Sequence, residues 1–564
     1  MSDKSELLNF EKEIDERIAQ SQIFQLPLRS VLTSLFGTID HLMQGGRFGI
    51  NISKGTADGT ALSSRLSYLT PFLKNCTLEI GNSAIDAFSA IVKCADELPQ
   101  IVSYAHFCEL MPEVRKDYYE VRKTSEGFEF IHSSQNFAKY EEYDIILTDL
   151  SLGFASNKLL YNISNDLIEL ALDLPNIELR SMLTVLEYLF NYRLIDIREM
   201  PLLEPKAFQI SIGVTWDEFC KIRSAFFAYA DFSIGIANAL EFLWKREDNS
   251  VTKEEIYHEF LEWIALCNDK KFFRGLLTSL TGVNDSAFET ILNFFIIDVK
   301  NSDFGNTGEG FFPPFMNYSD FYLFSPYIIR LMLNTRNILY VINKRNATHF
   351  DNIVSQYLEP TLLEQALDLF KKLPNLKIIS NQNWSNSEFT GEFDILIYQP
   401  TSNVVLHIQA KAPIPPQGAR MTKAIETRSI EGIKQLNRFQ NLPQYERDHI
   451  ISNIFKMPIK EVHSVSVLLC RSGIGTYYVW KLASDITVLN LQLLNGVIQS
   501  LIANDLSLLE FKNIADNLLA DIHKKSILGW EKGTISLYGT LIEMPLLRLN
   551  YEEIHKTRVQ LSPI

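Results

Sequence analysis

Two short runs of this 564-residue chain hold the residue types from which a cation site can be built. GEFDILIYQ (Gly391 to Gln399) carries Glu392 and Asp394, and NVVLHIQAK (Asn403 to Lys411) carries His407, Gln409 and Lys411. Pro400-Thr401-Ser402 between them is a turn-like break, so the pair reads as a hairpin. If it turns about Thr401 and Ser402, antiparallel partners have residue numbers that sum to 803, which sets Asp394 opposite Gln409 and Glu392 opposite Lys411. Strand period agrees: Glu392 and Asp394 point one way with His407, Gln409 and Lys411, while Phe393, Ile395, Leu406, Ile408 and Ala410 point to the other side. Two carboxylates, an amide and an ammonium on one sheet surface are costly unless they are solvated, paired or coordinating a cation.

The elements that must hold this hairpin follow from the patterning around it. A helical stretch over Ala347 to Leu373 precedes a strand-like run, Leu376 to Trp384. After the hairpin come a basic helix, Ala419 to Asn441, and a strand, His463 to Cys470. Tyr477 to Leu501 reads as one more strand followed by a helix. This order, with GEFD on the second strand and QAK on the third, resembles the PD-(D/E)xK nuclease superfamily, whose core runs helix, three strands, helix, strand. The resemblance covers roughly residues 340 to 500, and a Gln replaces the usual acid.

Much is implied by that resemblance. Asp394 would be the central metal ligand, Gln409 would supply a side-chain oxygen and Ala410 a backbone carbonyl. Lys411 would orient or deprotonate the attacking water, with Glu392 beside it. The cation would be Mg2+, or Mn2+ given that the neutral Gln weakens the site by one charge. The family also places an acid on its first helix; Phe350-Asp351 offers Asp351, with Glu364 the alternative and Glu359 also within that stretch. On the second helix Gln435 and Phe439 resemble a Gln-xxx-aromatic feature of some nuclease branches. Arg420, Lys423, Arg428, Lys434 and Arg438 would meet phosphates, with Gln435 among them.

Composition bounds the remainder. With 46% hydrophobic and 21% charged residues the chain is globular. Its net charge of -15 argues against a nucleic-acid partner, but the charge is uneven: residues 341–564 hold 23 Lys and Arg against 21 Asp and Glu, residues 1–340 hold 30 against 47. Residues 401–460 alone hold nine basic and four acidic side chains. Six scattered cysteines without a CxxC fit a reducing, cytoplasmic setting. The most apolar stretch, Phe226 to Leu243, is interrupted by Asp231 and Glu241, so no membrane is expected.

From residue 5 to about 300 the helical period dominates. KDYYEVRKTSEGFEFIHSS with YDIILTDL reads as a hairpin and strand set, and the Gly-rich Gly45 to Thr60 stretch as a loop without phosphate-loop spacing. The turn-rich segment 301–320 marks a boundary. The expected architecture is α+β: an acidic, mostly helical region over 1–320, serving regulation, oligomerisation or substrate selection, and a restriction-endonuclease-like α/β domain over 321–564 with a mixed central sheet flanked by helices. The expected function is metal-dependent hydrolysis of nucleic-acid phosphodiesters, DNA first, in restriction or phage defence, by a homodimer or with a protein partner on the helical region. The competing expectation is an inactive nuclease fold that binds or scaffolds.

Overall fold

The computed structural model describes residues 2–48, 59–78, 86, 89, 92–133, 135–151, 164–173, 179–196, 201–246, 251–299, 311–386, 388–416 and 419–562. Most of the Gly45 to Thr60 loop and the first half of the 301–320 boundary lie outside these residues. The chain is α+β, with a mostly helical N-terminal region and three mixed sheets.

Thirteen strands build the sheets among the described residues. In chain order they are β1 (Tyr119–Lys123), β2 (Gly127–His132), β3 (Leu266–Asp269), β4 (Ile296–Ile297), β5 (Phe315–Tyr318), β6 (Phe321–Phe324), β7 (Lys377–Ser385), β8 (Thr390–Gln399), β9 (Val404–Lys411), β10 (His463–Cys470), β11 (Thr487–Leu489), β12 (Ile527–Leu537) and β13 (Thr540–Leu549). The five-stranded sheet runs β11-β10-β9-β8-β7. Its first three members are parallel, and β8 and β7 are added antiparallel. Central β9 is buried at all eight positions, which fits its apolar Val404, Leu406, Ile408 and Ala410 and makes His407, Gln409 and Lys411 expensive there.

Two segments expected as strands are helical. YDIILTDL lies in the helix Gln135–Ser151, and the Tyr477 run forms the helix Tyr477–Leu482 before β11. Tyr140 and Tyr143 pack their rings on Trp480, so the same apolar side chains that would alternate on a strand serve here as a helix–helix seam. Three strand pairings cross the division at 320: β3 and β5 each pair with β6, and β2 pairs in parallel with β13. A strand needs its neighbour's backbone partners, so neither side of that division owns all of its sheets.

The helix Trp216–Trp244 anchors the N-terminal region. Thr215 and Glu218 close a capping box at its start. By length and composition it could cross a membrane, yet 83% of its most apolar window is buried inside the protein. Its mid-helix Asp231 is buried and pairs with Arg193 at 2.5 Å, which satisfies a charge that the interior would otherwise penalise.

Candidate active site

The β8–β9 hairpin has the expected register from Gln399↔Val404 to Ile395↔Ile408 and then stops. Past that point Asp394 Oδ2 accepts the Ala410 N–H at 2.7 Å, doing with a side chain what a ladder carbonyl would do. On the other side, the β7–β8 pairing skips Asn381 and Asp394, and Asn381 has a left-handed φ of 51°. The alternation slips here. Phe393 joins Leu396, Tyr398 and Val405 in one apolar cluster, while Ile395 belongs to the other. The expectation that Phe393 and Ile395 share a face is therefore corrected, as are the pairings of Asp394 opposite Gln409 and of Glu392 opposite Lys411, because the irregular step at Asp394 breaks the period of two.

Two helices pack on β9 and complete the cluster: Ser355–Phe370 and the basic helix Ala419–Gln440. From the first, Glu359 Oε2 stands 3.8 Å from Lys411 Nζ. From the second, Gly432 lies against the Lys411 stem, where a β-carbon would meet Lys411 Cγ and Cε at 3.3 Å and Leu468 Cδ1 at 2.7 Å. Glycine at this point lets the helix close on the lysine and hold its extended stem.

Neither Asp351 nor Glu364 joins the cluster; both are exposed. Five residues of α-helix turn Glu364 about 140° from Glu359, onto another face. Asp351 sits in a π-helical turn, Phe350–Val354, whose extra residue per turn shifts its phase relative to the helix that follows. Of these three acids, Glu359 is the one that stands beside Lys411.

The charges act on one another. Burial pushes the Asp394 carboxyl up to about 6, against the pull of Lys411 and the Ala410 N–H, while Glu359 and Glu392 push it further up. Burial also raises Glu359, which Lys411 and Arg428 draw down and Glu392 lifts. Glu392 itself is exposed at the edge.

Gln409 is fully buried, and its amide orientation follows from its partners. Nε2 donates to the Glu392 carbonyl oxygen at 2.7 Å and lies 3.4 Å from His407 Nε2, so the two amide hydrogens face protein acceptors. The opposite assignment would set two carbonyl oxygens against each other. Oε1 is left buried and without a hydrogen-bond partner. His407 sits between the rings of Phe393 and Phe439, and burial lowers it to about 3, so it remains neutral.

These groups suit a hard divalent cation through the Asp394 carboxylate, the orphaned Gln409 oxygen, the Ala410 carbonyl and the Glu359 carboxylate. Among the described residues no three His, Cys, Asp or Glu side chains stand close enough to hold a metal by themselves, so the amide and carbonyl oxygens are needed. The basic residues divide. Arg428 reaches the Glu359 side while pairing with exposed Glu431 at 3.1 Å. Lys423 lies near Lys116 of the N-terminal region, where Tyr118 Oη donates to Glu426 at 3.2 Å. Lys434 is exposed, Arg438 donates to the Thr390 carbonyl at 3.0 Å, and the Arg420 side chain lies outside the described residues.

Gln435 lines a groove of about 910 Å³ between the β7–β8 end and the helix Gln444–Phe455. Sequence periodicity had no signal for this groove or for Gly432; the Gly391-Glu392 pair that borders it was legible only as part of a strand. No family model, curated protein or solved structure matches the chain.

Proposed function

We propose that the chain hydrolyses nucleic-acid phosphodiester bonds, DNA first, with Mg2+ or Mn2+ as cofactor. One observation carries this reading: Glu359 and Asp394, from a helix and a strand, converge on Lys411 of the neighbouring strand, while Gln409, two residues before that lysine, leaves its buried side-chain oxygen without a hydrogen-bond partner. When bound, the cation offsets the negative charge on the phosphate and acidifies the attacking water. Asp394, Gln409, Ala410 and Glu359 would hold it. Lys411 Nζ is placed to orient that water and to donate to a phosphate oxygen as charge builds. Glu359 Oε2, 3.8 Å from Lys411 Nζ, would take the proton that the attacking water gives up. Water adds to phosphorus, the bond to the leaving sugar oxygen breaks, and a phosphate monoester and a hydroxyl result.

The experiment is incubation of wild type and Lys411→Ala with supercoiled plasmid, linear duplex, single-stranded DNA and RNA in Mg2+, Mn2+ or EDTA. Cation-dependent cleavage that Lys411→Ala lowers by about 100-fold or more supports the reading. Cleavage indifferent to Lys411, or none on any substrate, refutes it. The competing reading, an inactive binding or scaffold module, draws on the Lys411–Glu359 pair, in which two site charges already neutralise each other.

A further inference from the structure

We infer that the groove beside Glu392 binds an unpaired nucleobase, so that the substrate enters with at least one nucleotide out of its duplex. This rests on the nuclease reading for its location and deepens it by naming the form of the nucleic acid.

The groove lies between the ends of β7 and β8 on one side and the helix Gln444–Phe455 on the other, and its volume of about 910 Å³ is on the scale of ligand sites, roughly 300–1,000 Å³. Four of its thirteen lining residues are amides, Gln382, Asn383, Gln435 and Asn453; Gln382 donates to the Asn383 carbonyl at 2.9 Å, and Asn453 Nδ2 lies 3.0 Å from His449 Nε2. An amide offers donors and an acceptor without charge, which matches the mixed donors and acceptors on the edge of a base. Gln435 belongs to this lining, and its Oε1 is buried without a hydrogen-bond partner.

The walls fit the same occupant. Trp384 is 6% exposed and packs flat on Gly391, where a β-carbon would meet its ring at 2.6 Å, so it forms a rigid floor. Phe389, next to the lining residue Thr390, is 44% exposed. Tyr445, one helical turn before the lining residue His449, is 71% exposed. The Asn386–Glu446 hydrogen bond of 2.6 Å ties the turn of Phe389 to the helix of Tyr445. Exposed rings stack unpaired bases of any sequence.

Glu392 joins this groove to the site, since it lines the one and shifts the carboxyls of the other. Arg438 and Lys456 stand at the groove's borders, where the backbone of a strand entering it would pass. In paired DNA the base faces are stacked on their neighbours, so exposed rings of this kind can stack on a base only after it has left the duplex.

The test uses the full chain in EDTA, which prevents cleavage, with a fluorescein-labelled 12-nucleotide single strand and the matching duplex, read by anisotropy. Wild type should bind the single strand about tenfold tighter than the duplex, and Asn383→Ala with Asn453→Ala should lose about tenfold on the single strand alone. Both residues are exposed, and an unchanged melting temperature confirms the variant's fold. Equal or tighter binding of the duplex, a variant that binds the single strand as wild type does, or no binding at all overturns the inference. If duplex is cut with Mn2+ while single-strand binding ignores the variant, the groove proposal fails and the nuclease reading stands. Single-strand binding lost in the variant, without cation-dependent cleavage by wild type, supports the groove and refutes the nuclease.

Discussion

Replacing Asp394 by asparagine separates what this carboxylate does for chemistry from what it costs the fold. Burial raises it from 3.8 to about 6 in the folded chain. A raised carboxyl favours the folded state only while protonated: that contribution is full below pH 4 and is lost as pH rises through about 6. At pH 8 the ionised side chain therefore costs about 3 kcal/mol relative to its neutral form, at about 1.4 kcal/mol per pH unit. Asparagine mimics the neutral form and keeps an oxygen for the Ala410 N–H. With an unfolding entropy of about 2 cal/mol/K per residue, a chain of 564 residues unfolding as one unit gains about 2 to 3 °C. Differential scanning calorimetry at pH 8 in EDTA should show Asp394→Asn melting higher than wild type by that amount, with the gap closing toward pH 4. Added Mn2+ should stabilise wild type, because a ligand that binds only the folded state raises its stability, and should leave the variant unmoved. A variant that melts lower at pH 8 in EDTA, or that responds to Mn2+ as wild type does, would refute the electrostatic account.

Three further outcomes are expected. Glu359→Gln should lower cation-dependent cleavage by about tenfold to a thousandfold, as loss of a positioned base or charge does, while Asp351→Asn and Glu364→Gln stay within about twofold, in the same plasmid assay. Gln409→Glu should unfold at lower urea by about 1–3 kcal/mol, since it replaces the amide that donates to the Glu392 carbonyl with an oxygen that repels it, even though it adds a charge for a cation. Gly391→Ala should destabilise by about 1–3 kcal/mol and shift Trp384 fluorescence, because the new methyl would occupy the position of the indole; an unperturbed emission spectrum would show that the ring has room.

Periodicity and turn chemistry determined most of the site-bearing sheet before any coordinates. The strands over 376–384, 391–399, 403–411 and 463–470 and the helix over 419–441 appear within one residue of those bounds, because a buried sheet demands long apolar runs and the breaks between them carry Pro, Thr, Ser or Asn. Local charge reversal likewise pointed to residues 401–460. The helical seam between Tyr140 and Trp480 was illegible, since short aromatic-rich runs suit strand and helix equally until a partner surface exists.

The residue types and chain order in the sequence determined that Asp394, Gln409 and Lys411 would lie near one another, because a tight hairpin leaves its two strands one main register. Which first-helix acid joins them was decided only by tertiary structure. A π turn sets the phase of that helix, and Gly432 lets a second helix press Lys411 toward Glu359, contacts between segments dozens of residues apart that no local pattern encodes. The same holds for the slip at Asp394, which arises where β7 and β8 distort together, and for the groove, which exists only between elements already packed.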